Sequence, residues 1–259
     1  MQSTEMVDYT LVREDNTSTF LRTARQESKA SEDATNETFW WRKAATDVAD
    51  LKIAELPAKP IYEMSKRVLD IVLSLFFLLL CLPLFMVIAI AIKATSRGPI
   101  LFKQKRIGKG GVEFMNYKFR TMVADAELQL MKRTDLKEQF LENFKIKDDP
   151  RITSIGAFLR KTSLDETPQF LNVLKGDISL IGPRALQWAE IARYGDSIGK
   201  VLAVPAGLSG WWQVRGRNDT TYDERVQMDV NYVDQRSLWL DIKLICETAI
   251  SVLKRRGAY

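Results

Sequence analysis

The hydrophobic pattern divides the chain into three zones. Residues 1–60 are polar, rich in Thr, Ser, Asp and Glu, with little periodicity. They read as an N-terminal arm that is disordered over residues 1–35. Phe39-Trp40-Trp41 is an apolar exception, suited to docking on the core or on a membrane interface. Ile71 to Ile92 follows as 22 residues without a charge. As a helix this run reaches about 33 Å, enough for a hydrocarbon core of about 30 Å. From Gly98 onward, short apolar runs alternate with Gly, Pro and charge, as in a globular domain. Residues 61–97 are thus read as a membrane segment and 98–259 as a separate domain.

The apolar run has two readings. A straight span is the simpler. Pro83, the thirteenth residue of the run, argues against it, because its ring and missing N–H break or kink a helix. Cations flank both ends: Lys66 and Arg67 before, and Lys93, Arg97, Lys103, Lys105 and Arg106 after. Basic flanks prefer the cytoplasm, so a helix that enters, bends at Pro83 and returns satisfies both ends.

Within the third zone, Ile100-Leu101-Phe102 and Val112 to Phe119 read as strands joined by the turn Gly108-Lys109-Gly110-Gly111. Asp125 to Phe144 reads as a charged surface helix. Asp149-Pro150-Arg151 is a break, and Ile155 to Arg160 a short helix or turn. Thr167 and Pro168 look like the N-cap and first residue of a helix that Gly176 ends. Ser179-Leu180-Ile181 is a short strand, and loops surround Trp211-Trp212. Thr221 to Asp234 is a charged helix. Trp239 to Leu253 is an apolar one, with Lys254, Arg255 and Arg256 at its C-terminal end. The sequence contains no internal repeats.

Composition narrows the chemistry. The chain has no histidine, which excludes imidazole triads and zinc sites that need imidazole. The two cysteines, Cys81 and Cys246, lie in apolar runs and read as buried, unpaired thiols. No basic n-region precedes an apolar core at the N-terminus, so a cleavable signal peptide is not expected. A net charge of +5 and a pI near 9.1 suit phosphates or anionic lipid. The cations are scattered rather than interleaved with aromatics, which disfavours a nucleic-acid partner.

The remaining candidate for chemistry is Asp165-Glu166. Taken alone, the pair reads as acids near a helix N-terminus. Its surroundings add weight. Arg160 and Lys161 lie upstream, and Arg184 follows Gly182-Pro183. Lys118 and Arg120 alternate on a predicted strand and so share one face. Arg215 and Arg217 flank Gly216. Guanidinium forks suit phosphate oxygens. Beside them, one carboxylate can attack phosphorus while the other holds a divalent cation against the same phosphate.

These residues occur in runs that resemble a known family. The runs are Lys66-Arg67-Val68-Leu69-Asp70-Ile71, Tyr117-Lys118-Phe119-Arg120-Thr121-Met122, Asp149-Pro150-Arg151-Ile152-Thr153, Leu159 to Gln169, Gly176 to Arg184, Pro205 to Gly210, and the ending Gly257-Ala258-Tyr259. Together they span residues 66–259 and resemble the bacterial sugar transferases that are monotopic phosphoglycosyl transferases. The resemblance implies an α+β fold: a re-entrant helix-break-helix membrane hairpin plus a mainly helical cytoplasmic catalytic domain, with a small β-hairpin and interfacial amphipathic helices. It implies that Asp165 is the nucleophile and Glu166 its Mg2+ ligand. Arg160 and Arg184 would contact phosphate, with Lys118, Arg120 and Arg217 near the pocket and Pro83 at the hairpin break. The implied reaction moves a sugar 1-phosphate from a UDP-sugar to undecaprenyl phosphate at the cytoplasmic face of the bacterial inner membrane. Membrane lipids are then partners, and a homo-oligomer is left open. The Asn218-Asp219 context resembles members that use galactose or glucose donors. A one-step transferase that releases UDP, and a non-catalytic membrane scaffold, are the alternatives. One departure stands out: the family usually continues Gly-Pro-Arg with Pro, whereas Ala185 and Leu186 follow here, which is expected to loosen the loop that carries Arg184.

Overall fold

A computed structural model describes residues 51–253, except 144, 145, 147 and 216–219. The Phe39-Trp40-Trp41 run, Arg217, Asn218-Asp219 and the basic C-terminal end therefore lie outside the described residues. Chain contacts divide after Lys52, and Ile53–Tyr259 is one unit.

Helix α1 runs from Pro60 to Thr95 and is long and apolar enough to cross a membrane. Pro60 suits its first turn, where an N–H has no intrahelical partner. The helical run continues through Pro83; two helices separated by a break there are not seen. Its protected positions recur at helical spacing: Lys66, Asp70, Ser74, Ile88 and Ile92 are buried. The remaining surface is apolar and exposed, with Met64 67%, Leu79 64% and Ile90 70% accessible. A contiguous apolar face of that kind needs a non-aqueous partner.

The N-terminal part of α1 is tied to the domain by polar contacts. Lys66 Nζ donates to Asp241 Oδ2 at 2.9 Å and to the Ile181 carbonyl at 2.8 Å. Asp70 accepts from Ser179 Oγ and the Leu180 N–H, both at 3.0 Å. Arg67 donates to the carbonyls of Val173 and Leu174 at 2.6 and 2.7 Å. Lys66 and Arg67 are thus anchors inside the fold. A buried cation without these partners would carry a large desolvation cost.

Strands β1 (Leu101–Ile107) and β2 (Glu113–Phe119) form the antiparallel hairpin, with Leu101 opposite Phe119 and Ile107 opposite Glu113. The first strand extends five residues past the predicted Phe102, through Lys103, Lys105 and Arg106. The first two of these cations stay exposed while Arg106 is buried. The predicted surface helix is two, α2 (Ala126–Lys132) and α3 (Thr134–Asn143), separated at Arg133. Helix α4 (Ser154–Thr162) starts at a Thr153 cap whose side chain accepts the Gly156 N–H. A 3-10 segment, Leu164–Gln169, leads into α5 (Phe170–Lys175), and Gly176 closes it with φ 90°.

Strand β3 (Ser179–Ile181) pairs in parallel with β4 (Gly207–Ser209), which the glycine-rich sequence disguised as a loop. Short helices α6 (Trp188–Ile191) and α7 (Ile198–Val201) fill the crossover, and α8 (Trp211–Arg215) follows β4. Helix α9 (Tyr222–Gln235) begins with a Thr221–Glu224 capping box, and α10 (Leu238–Leu253) is the last element. The core joins Val173, Ile178, Ile181, Tyr232, Val233 and Leu244. A second cluster packs Ile88 and Ile92 of α1 against Phe119 and Leu159. The cysteines differ from expectation: Cys81 is half-buried and Cys246 exposed, both unpaired.

Candidate active site

The Asp165-Glu166 pair occupies the first turn of the 3-10 segment between α4 and α5. Ser163 ends α4 in the left-handed region at φ 57° and turns the chain sharply. The segment therefore starts at Leu164, earlier than the Thr167 cap expected from sequence. The Thr167 hydroxyl instead donates to the Leu164 carbonyl at 2.8 Å. This local closure holds the acidic turn.

Lys118 of β2 reaches Glu166, with Nζ 2.5 Å from Oε1. The two carboxylates sit in different environments. Asp165 is only 9% accessible. Burial, and then the Glu166 charge, push its carboxyl up to about 6 against the pull of Lys118 and Arg160. Burial also opposes ionisation of Glu166, but Lys118, Arg184 and Arg106 outweigh it and hold that carboxyl below its ordinary value. At neutral pH both are ionised, and Asp165 is the more basic of the two. The Glu166 side chain is 40% accessible, so it borders solvent.

Arg160 is set by a close helix–strand approach. A Cβ on Gly156 would lie 1.9 Å from the Thr121 carbonyl oxygen, so glycine is required where α4 crosses the chain just beyond β2. That approach lets Arg160 Nε donate to Thr121 Oγ1 at 2.9 Å. Arg160 and Asp165 interact electrostatically, each favouring the other's charged form.

Arg184 leaves a loop laid on β4. A Cβ on Gly207 would come within 2.2 Å of the Gly182 nitrogen, so only glycine permits this contact. Despite Ala185 in the usual proline position, the loop is pinned. The Gly207 N–H donates to the Pro183 carbonyl at 2.7 Å, and the Ile107 N–H to the Leu186 carbonyl at 2.9 Å. The Leu186 side chain is fully buried. These contacts hold the loop without the usual proline. The Arg184 side chain is 37% accessible, lies beside the Trp212 ring, and favours the ionised form of Glu166.

Arg120 does not join this group. Although its position alternates with Lys118, it is buried and donates to the Ser96 and Arg97 carbonyls at 2.8 and 2.9 Å, closing the end of α1. Sequence reasoning treated Arg106 only as a flanking charge and gave no role to Glu190 or Asp229. All three are buried around Arg184. Arg106 Nη1 donates to the Ala185 carbonyl at 2.9 Å and lies 3.3 Å from Glu190 Oε2. Asp229 accepts from the Tyr194 hydroxyl at 2.9 Å. Burial pushes its carboxyl up to about 7. The helical spacing of Tyr222, Arg225 and Asp229 was the available signal that one face of α9 meets Arg184.

Among the described residues, no group of three or more acidic or thiol side chains comes together. The donor set here is two adjacent carboxylates. Hard oxygen ligands of this kind suit Mg2+, which takes its remaining ligands from phosphate oxygens or water.

The family described as "Bacterial sugar transferase" matches residues 61–255. The chain belongs to the bacterial sugar transferase family. It is 42% identical over 217 residues to the "Undecaprenyl-phosphate galactose phosphotransferase" of Salmonella typhimurium, covering 82% of this chain and 45% of that protein. It is 38% identical over 213 residues to the "UDP-glucose:undecaprenyl-phosphate glucose-1-phosphate transferase" of Escherichia coli, covering 79% and 44%. Against the "Exopolysaccharide production protein ExoY" of Rhizobium meliloti the identity is 38% over 205 residues, covering 78% and 91%. The chain thus spans less than half the length of the first two relatives and most of the third. In this bacterial sugar transferase the family match takes in α1 together with the acidic turn.

Proposed function

We propose that this chain transfers a sugar 1-phosphate, with galactose or glucose as the sugar, from a UDP-sugar to undecaprenyl phosphate. The observation that carries this reading is the buried, basic Asp165 carboxylate beside an ionised Glu166, with Lys118, Arg160 and Arg184 supplying positive charge. Membership of the family and the names of the relatives support the substrate classes.

In the proposed mechanism an Asp165 carboxylate oxygen attacks the β-phosphorus of the UDP-sugar. The bond from that phosphorus to the UMP oxygen breaks, and UMP leaves with the electron pair. The resulting acyl phosphate keeps the sugar on Asp165. An oxygen of undecaprenyl phosphate then attacks the same phosphorus, releasing the Asp165 carboxylate and forming a polyprenyl diphosphate sugar. Arg160 and Arg184 neutralise phosphate oxygens as charge moves. Lys118 keeps Glu166 ionised and oriented. Glu166 would hold Mg2+, which when bound neutralises the diphosphate. No histidine is needed, because Asp165 is ionised at neutral pH without a base to deprotonate it.

The geometry of α1 supports a re-entrant, monotopic arrangement. A helix of 36 residues reaches about 54 Å if straight. Yet Lys66, Arg67 and Asp70 near its start, and Ile88 and Ile92 near its end, pack on the same unit. Around Pro83, Leu79, Leu80, Leu82 and Leu84 are exposed. A helix that bends at Pro83 without losing its helical run, so that it dips into one leaflet and returns, would bring both ends to the same unit, with the domain at the cytoplasmic face of the inner membrane. The site would then lie at the depth of the lipid phosphate. The product would begin an exopolysaccharide, capsule or O-antigen repeat.

The test is nucleotide release from a panel of UDP-sugars with undecaprenyl phosphate and Mg2+. UMP release with a galactose or glucose donor is expected. Release of UDP would identify a one-step transferase instead.

A further inference from the structure

Behind Arg184 lies a buried charge cluster that the proposed chemistry does not use. Glu190 is 4% accessible and Arg106 6%. The Glu190 carboxylate divides its two oxygens. Oε2 accepts the Gln187 N–H at 2.8 Å, closing the capping box at the start of α6, and lies 3.3 Å from Arg106 Nη1. Oε1 lies 3.7 Å from Arg184 Nε. Capping requires one oxygen only, so the second is directed at Arg184 for another reason. Two guanidiniums this close repel each other in a poorly screened interior, and one carboxylate between them removes the conflict. Arg184 has two further neighbours: the buried Asp229 carboxylate, which its charge favours in the ionised form, and Trp212, whose ring centroid lies 5.7 Å from the guanidinium centre. Arg225 lies 4.9 Å from the same ring. Arg184 keeps 37% of its side chain accessible and interacts electrostatically with Glu166 of the acidic turn.

We propose that Glu190 is a positioning residue: held between Arg106 and Arg184, it aims the Arg184 guanidinium at the donor diphosphate over Glu166 without touching substrate itself. This inference rests on Arg184 being a phosphate ligand. Arg106 is the counterweight. It neutralises Oε2, the Glu190 oxygen not turned to Arg184, so Oε1 holds Arg184 without drawing it inward as a closed ion pair would.

The test is a double-mutant cycle with Glu190→Gln and Arg184→Ala, read as kcat and KM for the UDP-sugar in detergent-purified full chain. Glutamine keeps an oxygen for the Gln187 cap but loses the charge, which separates capping from positioning. In an otherwise native background, Glu190→Gln is expected to raise the donor KM by about tenfold, with a smaller change in kcat. In the Arg184→Ala background the same substitution is expected to change KM by less than about twofold, because the residue it acts through is gone. A full tenfold loss in both backgrounds, or no loss in the first, overturns the proposal. Should Glu190→Gln fail to fold, Glu190→Asp enters the same cycle. It keeps the charge and withdraws it from Arg184, and the same dependence on Arg184 is expected. If Arg184→Ala alone leaves the donor KM unchanged, the phosphate role of Arg184 fails, which is a separate result from additivity in the cycle.

Discussion

Lys118 of β2 and Glu166 of the acidic turn are joined by an ion pair of 2.5 Å, which ties the hairpin to the proposed chemistry. Lys118→Met removes the cation that most favours ionised Glu166. It is expected to lower kcat/KM for UMP release by about a hundredfold, the scale of losing one group that stabilises transition-state charge. Lys118→Arg, which keeps the charge, should recover part of that loss. Equal activity in the Met and Arg variants would contradict the role given to this cation.

Arg67 closes the far end of the same helical run, donating to the carbonyls of Val173 and Leu174. Phe77 of α1 stacks on Phe170 at 5.4 Å between ring centroids. Helix α1 thus grips α5 at both ends. Arg67→Gln is expected to destabilise the protein by about 1–3 kcal/mol, read by thermal unfolding in detergent, and to lower UMP release with it.

Asp229 gives a stability signature in pH. Its carboxyl is pushed up to about 7 by burial, against the Tyr194 hydrogen bond and the Arg184 charge, and with Glu190 adding repulsion. A raised value means the folded state holds this proton more tightly than the unfolded chain does. The contribution of Asp229 to stability is therefore greatest at low pH. It falls as pH rises from about 4, the ordinary carboxyl range, through about 7. Asp229→Asn is neutral at every pH and lacks this slope. Its melting temperature should gain on the parent protein between pH 5 and pH 8; a constant difference across that range would refute the assignment.

The re-entrant arrangement predicts the side on which the two ends of α1 emerge. In a background with Cys81 and Cys246 replaced by Ser, single cysteines at Ile61 and at Arg97 should both resist a membrane-impermeant maleimide in intact cells. Both should react in inverted membrane vesicles. A spanning helix would expose one of them in each preparation.

The elements legible in the sequence were those with strong local punctuation. The hairpin followed from alternation around a glycine turn, α9 from its charge pattern, and the end of α5 from Gly176. Strand β4 was hidden because Gly207 and Gly210 mark close backbone approach as well as loops, and only packing against Gly182 tells the two apart. The site was partly legible. Asp165 comes into electrostatic reach of Glu166, Lys118 and Arg160, and Glu166 of Lys118 and Arg184. Arg120 was misplaced, because strand alternation gives a face but not a partner, and β2 ends at Phe119 just before it. Glu190 and Arg106 were missed because an ion pair between residues 84 positions apart leaves no local pattern. Lys66 and Arg67 looked like topology signals, since a cation beside an apolar run reads the same whether it faces water or a buried carboxylate.

The central claim is that Asp165 carries the phospho-sugar. The most direct measurement is intact-protein mass spectrometry after brief incubation with the UDP-sugar and Mg2+ in the absence of undecaprenyl phosphate. The account predicts an added mass of one sugar phosphate, mapped to the peptide containing Asp165, formed together with UMP and absent from Asp165→Asn. UMP release by Asp165→Asn at the parent rate, with no adduct on either protein, would contradict it.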